Sequence, residues 1–125
     1  MKRSSSSGLM HCLTAAANTA AGIRHAFRTE TAVRQEFLML LFALPSAWFL
    51  ASGPWQAVAL VASVLLVLAV ELLNTCIEKI CDHVTPDLHP TIKVVKDMGS
   101  AAVFFALCIA GMVWVCAFLE RIGAF

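Results

Sequence analysis

Residues 55–82 decide the fold of this chain, and they read WQAVALVASVLLVLAV followed without a break by ELLNTCIEKICD. The first 16 residues carry no charge, and roughly 20 apolar residues suffice for a helix to cross the hydrocarbon core of a bilayer. The polar residues that follow are spaced three, four and four apart, so on a continuing helix they share one face. We call these four residues the polar stripe: Glu71, Asn74, Glu78 and Asp82.

Two further apolar stretches flank this one, which gives three predicted spans at residues of about 34–52, 55–82 and 97–120. Gly53 and Pro54 separate the first two spans, and so short a connection predicts an antiparallel pair of helices. The first apolar run is the shortest and contains Pro45. We therefore expect it to borrow length from the helix that precedes it.

A fourth helix is predicted before the first span, over residues of about 8–28. Apolar residues recur there at spacings of three and four: Leu9, Leu13, Ala16, Ala20, Ile23 and Phe27. This period is typical of an amphipathic helix, and such a helix beside a span lies along the membrane surface. We expect the Ser-rich residues 1–7 to be disordered.

The composition favours a membrane protein over a water-soluble domain. Of the 125 residues, 60% are hydrophobic and 14% are charged, against roughly a quarter charged in ordinary soluble domains. Mean hydropathy is +0.82. The sequence predicts an all-α membrane protein that forms one integral-membrane domain over residues 8–125. The net charge is only +1, and we expect no nucleic-acid partner.

The basic residues predict the orientation in the membrane. Eight of the nine lie before the apolar run of the first span (37–52) or between those of the second (55–73) and third (98–119), and only Arg121 follows the third. By the positive-inside rule, the N-terminus and the second loop are cytoplasmic and the C-terminus lies outside. The acidic residues follow the same partition, since only Glu120 lies beyond the third span. A polar site on the cytoplasmic side is thereby predicted.

Glu71 is the deepest member of the polar stripe. A carboxylate near the hydrocarbon boundary is costly, so such a residue is a candidate for function; the alternative is a solvated helix end. Two more polar clusters lie beside the first and third spans, and salt bridges on a helix surface would explain them equally well. Gly99 and the alanines that follow it at helical spacing are expected to serve helix packing.

Together these clusters predict a site for phosphoryl transfer. Carboxylate oxygens suit Mg²⁺, which proteins commonly hold with one or two of them plus substrate phosphates. Nearby lysines suit a polyphosphate, and a deep Glu71 suits a base for a hydroxyl that arrives from within the bilayer. Phosphoryl transfer onto a lipid alcohol would use all of these groups, although the residues alone do not single it out.

Three segments resemble the signature regions of the bacterial integral-membrane diacylglycerol kinases: ELLNTCIE at 71–78, KDMGSAA at 96–102 and RQE at 34–36. The resemblance covers nearly the whole chain, from Gly8 to the end of the third span. It implies a homotrimeric helical bundle in the bacterial inner membrane, with active sites shared between protomers. The implied reaction transfers the γ-phosphoryl group of MgATP to diacylglycerol and gives phosphatidic acid.

The resemblance also assigns roles to residues. Glu71 matches the proton acceptor, and Glu30 and Glu78 match the carboxylates that hold Mg²⁺ at the ATP phosphates. Besides Glu30 and Glu78, the positions expected to bind ATP are His11, Asn18, Asp87, Leu88, His89, Lys96 and Asp97. Besides Glu71, those expected on the lipid-binding side are Arg34, Glu36, Asn74, Ser100 and Trp114.

Three positions depart from the family pattern. His11 stands where a basic residue, commonly Arg, is usual, Asn18 where an aromatic is usual, and Val94 where an Arg is common. Arg offers a charged fork that suits phosphate, and Val offers none. We therefore expect these changes to affect ATP affinity more than the type of reaction.

Three other functions remain open at this stage. A kinase could act on a different lipid alcohol, such as the polyprenol used by related members of the family. A small proton-coupled exporter would use Glu71 as an intramembrane acid, but such exporters typically have four spans with the acid in the first. A scaffold or holin-like protein would not need the polar stripe.

Overall fold

The computed structural model describes residues 5–85 and 89–124, and within them the chain forms four α-helices and no strand. The helices are α1 (Ser5–Thr29), α2 (Thr31–Leu50), α3 (Pro54–Val84) and α4 (Pro90–Arg121). Three of them, α2, α3 and α4, are long and apolar enough to cross a membrane. The predicted fold class, three spans preceded by one further helix, is confirmed.

The helix bounds differ from the predicted ones mainly at α1 and α4. The first helix begins at Ser5, three residues before the predicted start, and residues 1–4 of the predicted disordered segment lie outside the described part. The fourth begins at Pro90, about two turns before the predicted start of the third span at residue 97. Proline is well suited to a first helical position, and His89 Nδ1 accepts a hydrogen bond from the Thr91 backbone N–H at 3.3 Å.

The connections between consecutive helices are short. Between α1 and α2 only Glu30 is extended, with φ −107° and ψ 122°, so the chain turns sharply there. Residues 51–53 join α2 to α3, and Pro54 opens the next helix. The α3 helix then packs along both α2 and α4, whereas α1 contacts mainly α2.

The interior of the bundle is thin. One small core near the α1–α2 junction contains Ala26, Val33 and Leu68, and a second near the α2–α3 connection contains Ala47, Leu60 and Ala117. Most other large apolar side chains lie on the outside, including Trp48, Phe49 and Trp55. A surface this apolar suits hydrocarbon as its solvent, and it leaves wide faces available to lipid or to other helices.

A polar contact closes the end of the bundle that contains the α2–α3 connection. Gln56 Oε1 accepts a hydrogen bond from the Ser52 backbone N–H at 2.6 Å, and Gln56 Nε2 donates to Glu120 Oε2 at 2.6 Å. The α2–α3 connection is thereby tied to the last turn of α4. The polar stripe lies at the opposite end of α3.

Candidate active site

The polar stripe forms one face of α3, as its spacing predicts. Asn74 is buried with 7% exposure, while Glu71 and Glu78 are half-buried. Asn74 Nδ2 donates a hydrogen bond to Glu78 Oε1 at 3.2 Å. The apolar part of the helix therefore passes directly into a row of hydrogen-bonding groups.

Glu30 reaches this face from the α1–α2 junction. Its Oε1 lies 2.8 Å from Lys79 Nζ and accepts a hydrogen bond from Thr29 Oγ1 at 2.8 Å. The Lys79 ammonium, followed by the Thr29 hydroxyl, lowers the pKa of the Glu30 carboxyl. Glu30 is therefore an anion at neutral pH, with a cation already beside it.

Four carboxylates come together here, and we call them the carboxylate cluster: Glu30, Glu36, Glu71 and Glu78. Glu71 and Glu78 share one face of α3, Lys79 of α3 holds Glu30 at 2.8 Å, and Glu36 follows Glu30 by six residues. Glu36 is 8% exposed, and its Oε2 has no hydrogen-bond partner among the described residues. Like charges gathered at the edge of an apolar bundle repel one another, so the cluster favours binding a cation.

The donor set fits a metal that arrives with its own ligands. Within residues 5–85 and 89–124, no group of three or more His, Cys, Asp or Glu side chains could hold a metal ion by itself. Mg²⁺ is typically bound by one or two carboxylates together with water and substrate phosphates. Glu30 and Glu78 supply two carboxylates of this kind, so they fit Mg²⁺ bound to a nucleotide.

The start of α4 places further charges beside the stripe. Lys96 Nζ bonds to Asp82 Oδ1 at 2.5 Å and links α4 to α3. Lys93 and Asp97 pair at 2.6 Å along the surface of α4, and Ser100 is exposed one helical turn further on. Lys96 is therefore held near the site through Asp82.

Gly99 brings α4 closest to the stripe. It is buried, and a Cβ atom at this position would overlap Asn74 Oδ1 and lie 3.3 Å from Asn74 Cγ. Asn74 Oδ1 itself has no hydrogen-bond partner in the described part of the chain. The two helices therefore approach each other across the side chain of Asn74.

Several predicted site residues lie on the surface of the single chain. His11 and Asn18 are exposed on α1, 19 and 12 residues before Glu30, which is about 28 and 18 Å along a helix. Arg34 is exposed and donates to Thr31 Oγ1 on its own helix at 3.0 Å. Asp87 and Leu88 lie outside the described residues. His89 is exposed and caps α4.

Trp114 lies deep in the apolar part of the bundle. It is 14 residues from Ser100 on α4, about 21 Å along the axis. It borders a groove of about 460 Å³ between α2, α3 and α4, which is also lined by Phe42, Ser46 and Val64. Trp114 and Ser100, both expected on the lipid-binding side, are therefore far apart along α4.

Two residues in the site were not among the predicted site residues. Lys79 follows Glu78 directly in the sequence, but nothing local indicates that it pairs with Glu30, 49 positions away. Gly99 was expected to serve helix packing alone. A glycine on a helix that packs against the polar stripe could have indicated a close contact with that stripe. Both omissions concern contacts between helices.

Fold and site together define a multi-pass membrane protein with a carboxylate and lysine site where its helices leave the apolar layer. The sequence model of the prokaryotic diacylglycerol kinase family matches residues 17–118. The diacylglycerol kinase of Pseudomonas aeruginosa is 41% identical over 107 residues, which cover 86% of this chain and 87% of that protein. The corresponding values are 38%, 86% and 91% for the Haemophilus influenzae enzyme, and 37%, 86% and 88% for that of Escherichia coli K12. This chain belongs to the prokaryotic diacylglycerol kinase family.

Proposed function

We propose that this protein transfers the γ-phosphoryl group of ATP to the free hydroxyl of diacylglycerol and so forms phosphatidic acid and ADP. The observation that carries the proposal is the carboxylate cluster at the end of the apolar part of α3, in a chain of this family. The new bond joins the lipid hydroxyl oxygen to the γ-phosphorus. The bond from that phosphorus to the bridging oxygen breaks, and the hydroxyl proton passes to the enzyme.

Glu71 is the proposed proton acceptor. It is the member of the polar stripe nearest the apolar half of α3, and it is half-buried. Glu78 lies seven residues further on, about 10 Å along the axis. A lipid hydroxyl approaching from the bilayer meets Glu71 first, while Glu78 lies toward water and the nucleotide. A base positioned in this way typically contributes about 10²- to 10⁴-fold to the rate.

Glu30 and Glu78 are the proposed Mg²⁺ ligands. The metal, when bound, neutralises charge on the β- and γ-phosphates during transfer. Glu30 is already ionised and paired with a cation, Lys79, which supports a role for its carboxylate in cation binding. The proposed nucleotide contacts remain His11, Asn18, Asp87, Leu88, His89, Lys96 and Asp97. The proposed lipid contacts remain Arg34, Glu36, Asn74, Ser100 and Trp114.

We also propose a homotrimer in the bacterial inner membrane, with the N-terminus and the second loop inside and the C-terminus outside. The distance of His11 and Asn18 from the cluster of their own chain supports a site shared between protomers, as do the wide apolar faces of the bundle. Mixing Glu71→Gln protein with Asp97→Asn, Glu30→Gln or Ala16→Gln protein tests the sharing. Recovery of activity in at least one mixed trimer is expected, and inactivity of every verified mixture would place the site within one chain.

The reaction itself is tested with purified protein in detergent micelles, γ-labelled ATP, Mg²⁺ and either diacylglycerol or undecaprenol. Labelled phosphatidic acid is the expected product. Preferential labelling of the polyprenol would assign the site to another lipid alcohol. If neither lipid acquired label in a folded sample, the proposed kinase function would be wrong.

A further inference from the structure

The contact between Gly99 and Asn74 is unlike that at any other glycine of the chain. A Cβ at Gly99 would overlap Asn74 Oδ1, whereas a Cβ at each of the other five glycines would have nothing within 4 Å among the described residues. Gly99 is therefore the one glycine where the missing side chain makes room for a specific neighbour. That neighbour is a polar side chain of the candidate site.

The carboxamide of Asn74 has a fixed orientation. Its Nδ2 donates to Glu78 Oε1 at 3.2 Å, and because a carboxylate only accepts, the amide nitrogen must face Glu78. The amide oxygen then points toward Gly99, where it is buried and has no hydrogen-bond partner within the described ranges. A buried amide oxygen without a partner lowers stability. Stability alone therefore does not account for an asparagine at this position.

We propose that Gly99 and Asn74 act as a pair of positioning residues for Glu78. Gly99 leaves the space in which the Asn74 carboxamide lies across the helix interface, and Asn74 holds the Glu78 carboxylate in one orientation. This inference rests on the proposed function, in which Glu78 is a metal ligand. It gives Asn74 a role toward the metal site in addition to any contact with lipid.

The physical consequence is a loss of metal affinity when either residue is changed. An added methyl group at Gly99 must displace the Asn74 carboxamide or push α4 away from α3, because the overlap involves an atom held between two helices. Glu78 then loses its donor and rotates freely. Changes to residues that orient a metal ligand typically weaken metal binding by roughly 10- to 100-fold.

A role in helix packing alone would have a different signature. Small residues often serve close helix contacts in membranes, and on that account Gly99→Ala would loosen the bundle without a specific effect on the metal. Asn74→Ala separates the two accounts, because it removes the polar contact and adds no volume. Gly22→Ala is the matched control, since it adds a methyl group to a helical glycine with open space around it.

The experiment adds Mn²⁺ and a non-hydrolysable ATP analogue to detergent-solubilised full-length protein and measures, by electron paramagnetic resonance, the Mn²⁺ bound to the protein–nucleotide complex. The Mn²⁺ binding that is lost in Glu78→Gln is the fraction that depends on Glu78. We expect Gly99→Ala and Asn74→Ala each to weaken that fraction by about tenfold or more, and Gly22→Ala to leave it unchanged. The double variant, which carries both Gly99→Ala and Asn74→Ala, should bind Mn²⁺ as weakly as Asn74→Ala alone, because the change at Gly99 acts only by displacing Asn74.

The outcomes separate this inference from the proposed function. Mn²⁺ binding that is the same in the wild type and in Glu78→Gln would remove the proposed metal role of Glu78. Binding that depends on Glu78 but is unaffected by both Gly99→Ala and Asn74→Ala would overturn the positioning pair. Circular dichroism and gel filtration report whether each variant is folded, and Asn74→Ala keeps the test decisive if Gly99→Ala does not fold.

Discussion

Replacing Glu71 by Gln tests the central chemical step, because the change removes a base and keeps the size of the side chain. If Glu71 accepts the proton of the lipid hydroxyl, its loss should lower kcat by about 10²- to 10⁴-fold, which corresponds to about 3 to 5 kcal/mol at 1.36 kcal/mol per tenfold. The nucleotide side should change little, since Glu78 lies about 10 Å further along α3. The KM for MgATP should therefore stay near its wild-type value.

The stability of this variant should not fall. Glutamine fills the same volume, so no cavity forms in the bundle. Glu71 is half-buried, and an uncharged amide costs less to bury than a carboxylate. Thermal unfolding in detergent should show a melting temperature equal to or above that of the wild type.

The assay measures initial rates of phosphatidic acid formation over a range of MgATP and diacylglycerol concentrations. Glu120→Gln is the matched control, because it makes the same chemical change at the opposite end of the bundle, where Glu120 accepts a hydrogen bond from Gln56. Its kcat should remain close to that of the wild type. A folded Glu71→Gln protein with more than about a tenth of the wild-type kcat would refute a role for Glu71 as the base.

The other predictions concern the nucleotide side. Glu30→Gln and Glu78→Gln should each raise the Mg²⁺ concentration for half-maximal activity by about tenfold or more; an unchanged requirement in both would contradict their role as ligands. Lys79→Met should raise the pKa of Glu30 toward its ordinary value, since the Lys79 ammonium lowers it. The wild type should then be more stable than Lys79→Met at pH values above the ordinary carboxyl pKa. This difference in stability should vanish as Glu30 becomes protonated at lower pH. A difference in melting temperature that persists in acid would mean that the Glu30–Lys79 pair does not cause it. His11→Arg should lower the KM for ATP by roughly fivefold, because Arg is always charged and offers a fork of donors; an unchanged KM at pH 8 would mean that residue 11 faces away from the nucleotide.

The helices and the polar stripe could be predicted because both depend on local periodicity. An apolar run long enough to cross a bilayer has few alternatives to a helix. Once α3 continues past Leu73, the spacing of Glu71, Asn74 and Glu78 places them on one face. The third span was predicted to begin at residue 97, where the apolar run begins, whereas the helix that contains it begins at Pro90. Residues 91–97 are polar or mixed but contain no helix breaker, so the helix extends back to Pro90.

The contacts between helices could not be predicted from these patterns. Glu30 and Lys79 meet because the α1–α2 junction folds against α3, and periodicity does not define that packing. The approach of Gly99 to Asn74 likewise depends on how α4 crosses α3. The separation of Trp114 from Ser100, in contrast, could be predicted, because counting residues along one helix places them about 21 Å apart. The resemblance to the family had placed both residues on the lipid-binding side.

The arrangement of charge explains why the site lies where α3 leaves the apolar layer. A carboxylate deeper in the bilayer would be costly and would lie beyond the reach of a polyphosphate, and one farther out would not meet a lipid hydroxyl. Glu71 and Glu78 span this boundary on a single helix face, and Glu30 approaches the face from the α1–α2 junction. Two of the groups in the site, Glu30 and Lys79, already neutralise each other at 2.8 Å. Lys79 and Thr29 both contact Oε1 of Glu30, so the proposed metal role of Glu30 does not require this ion pair to separate, because Oε2 is the second oxygen of the same carboxylate.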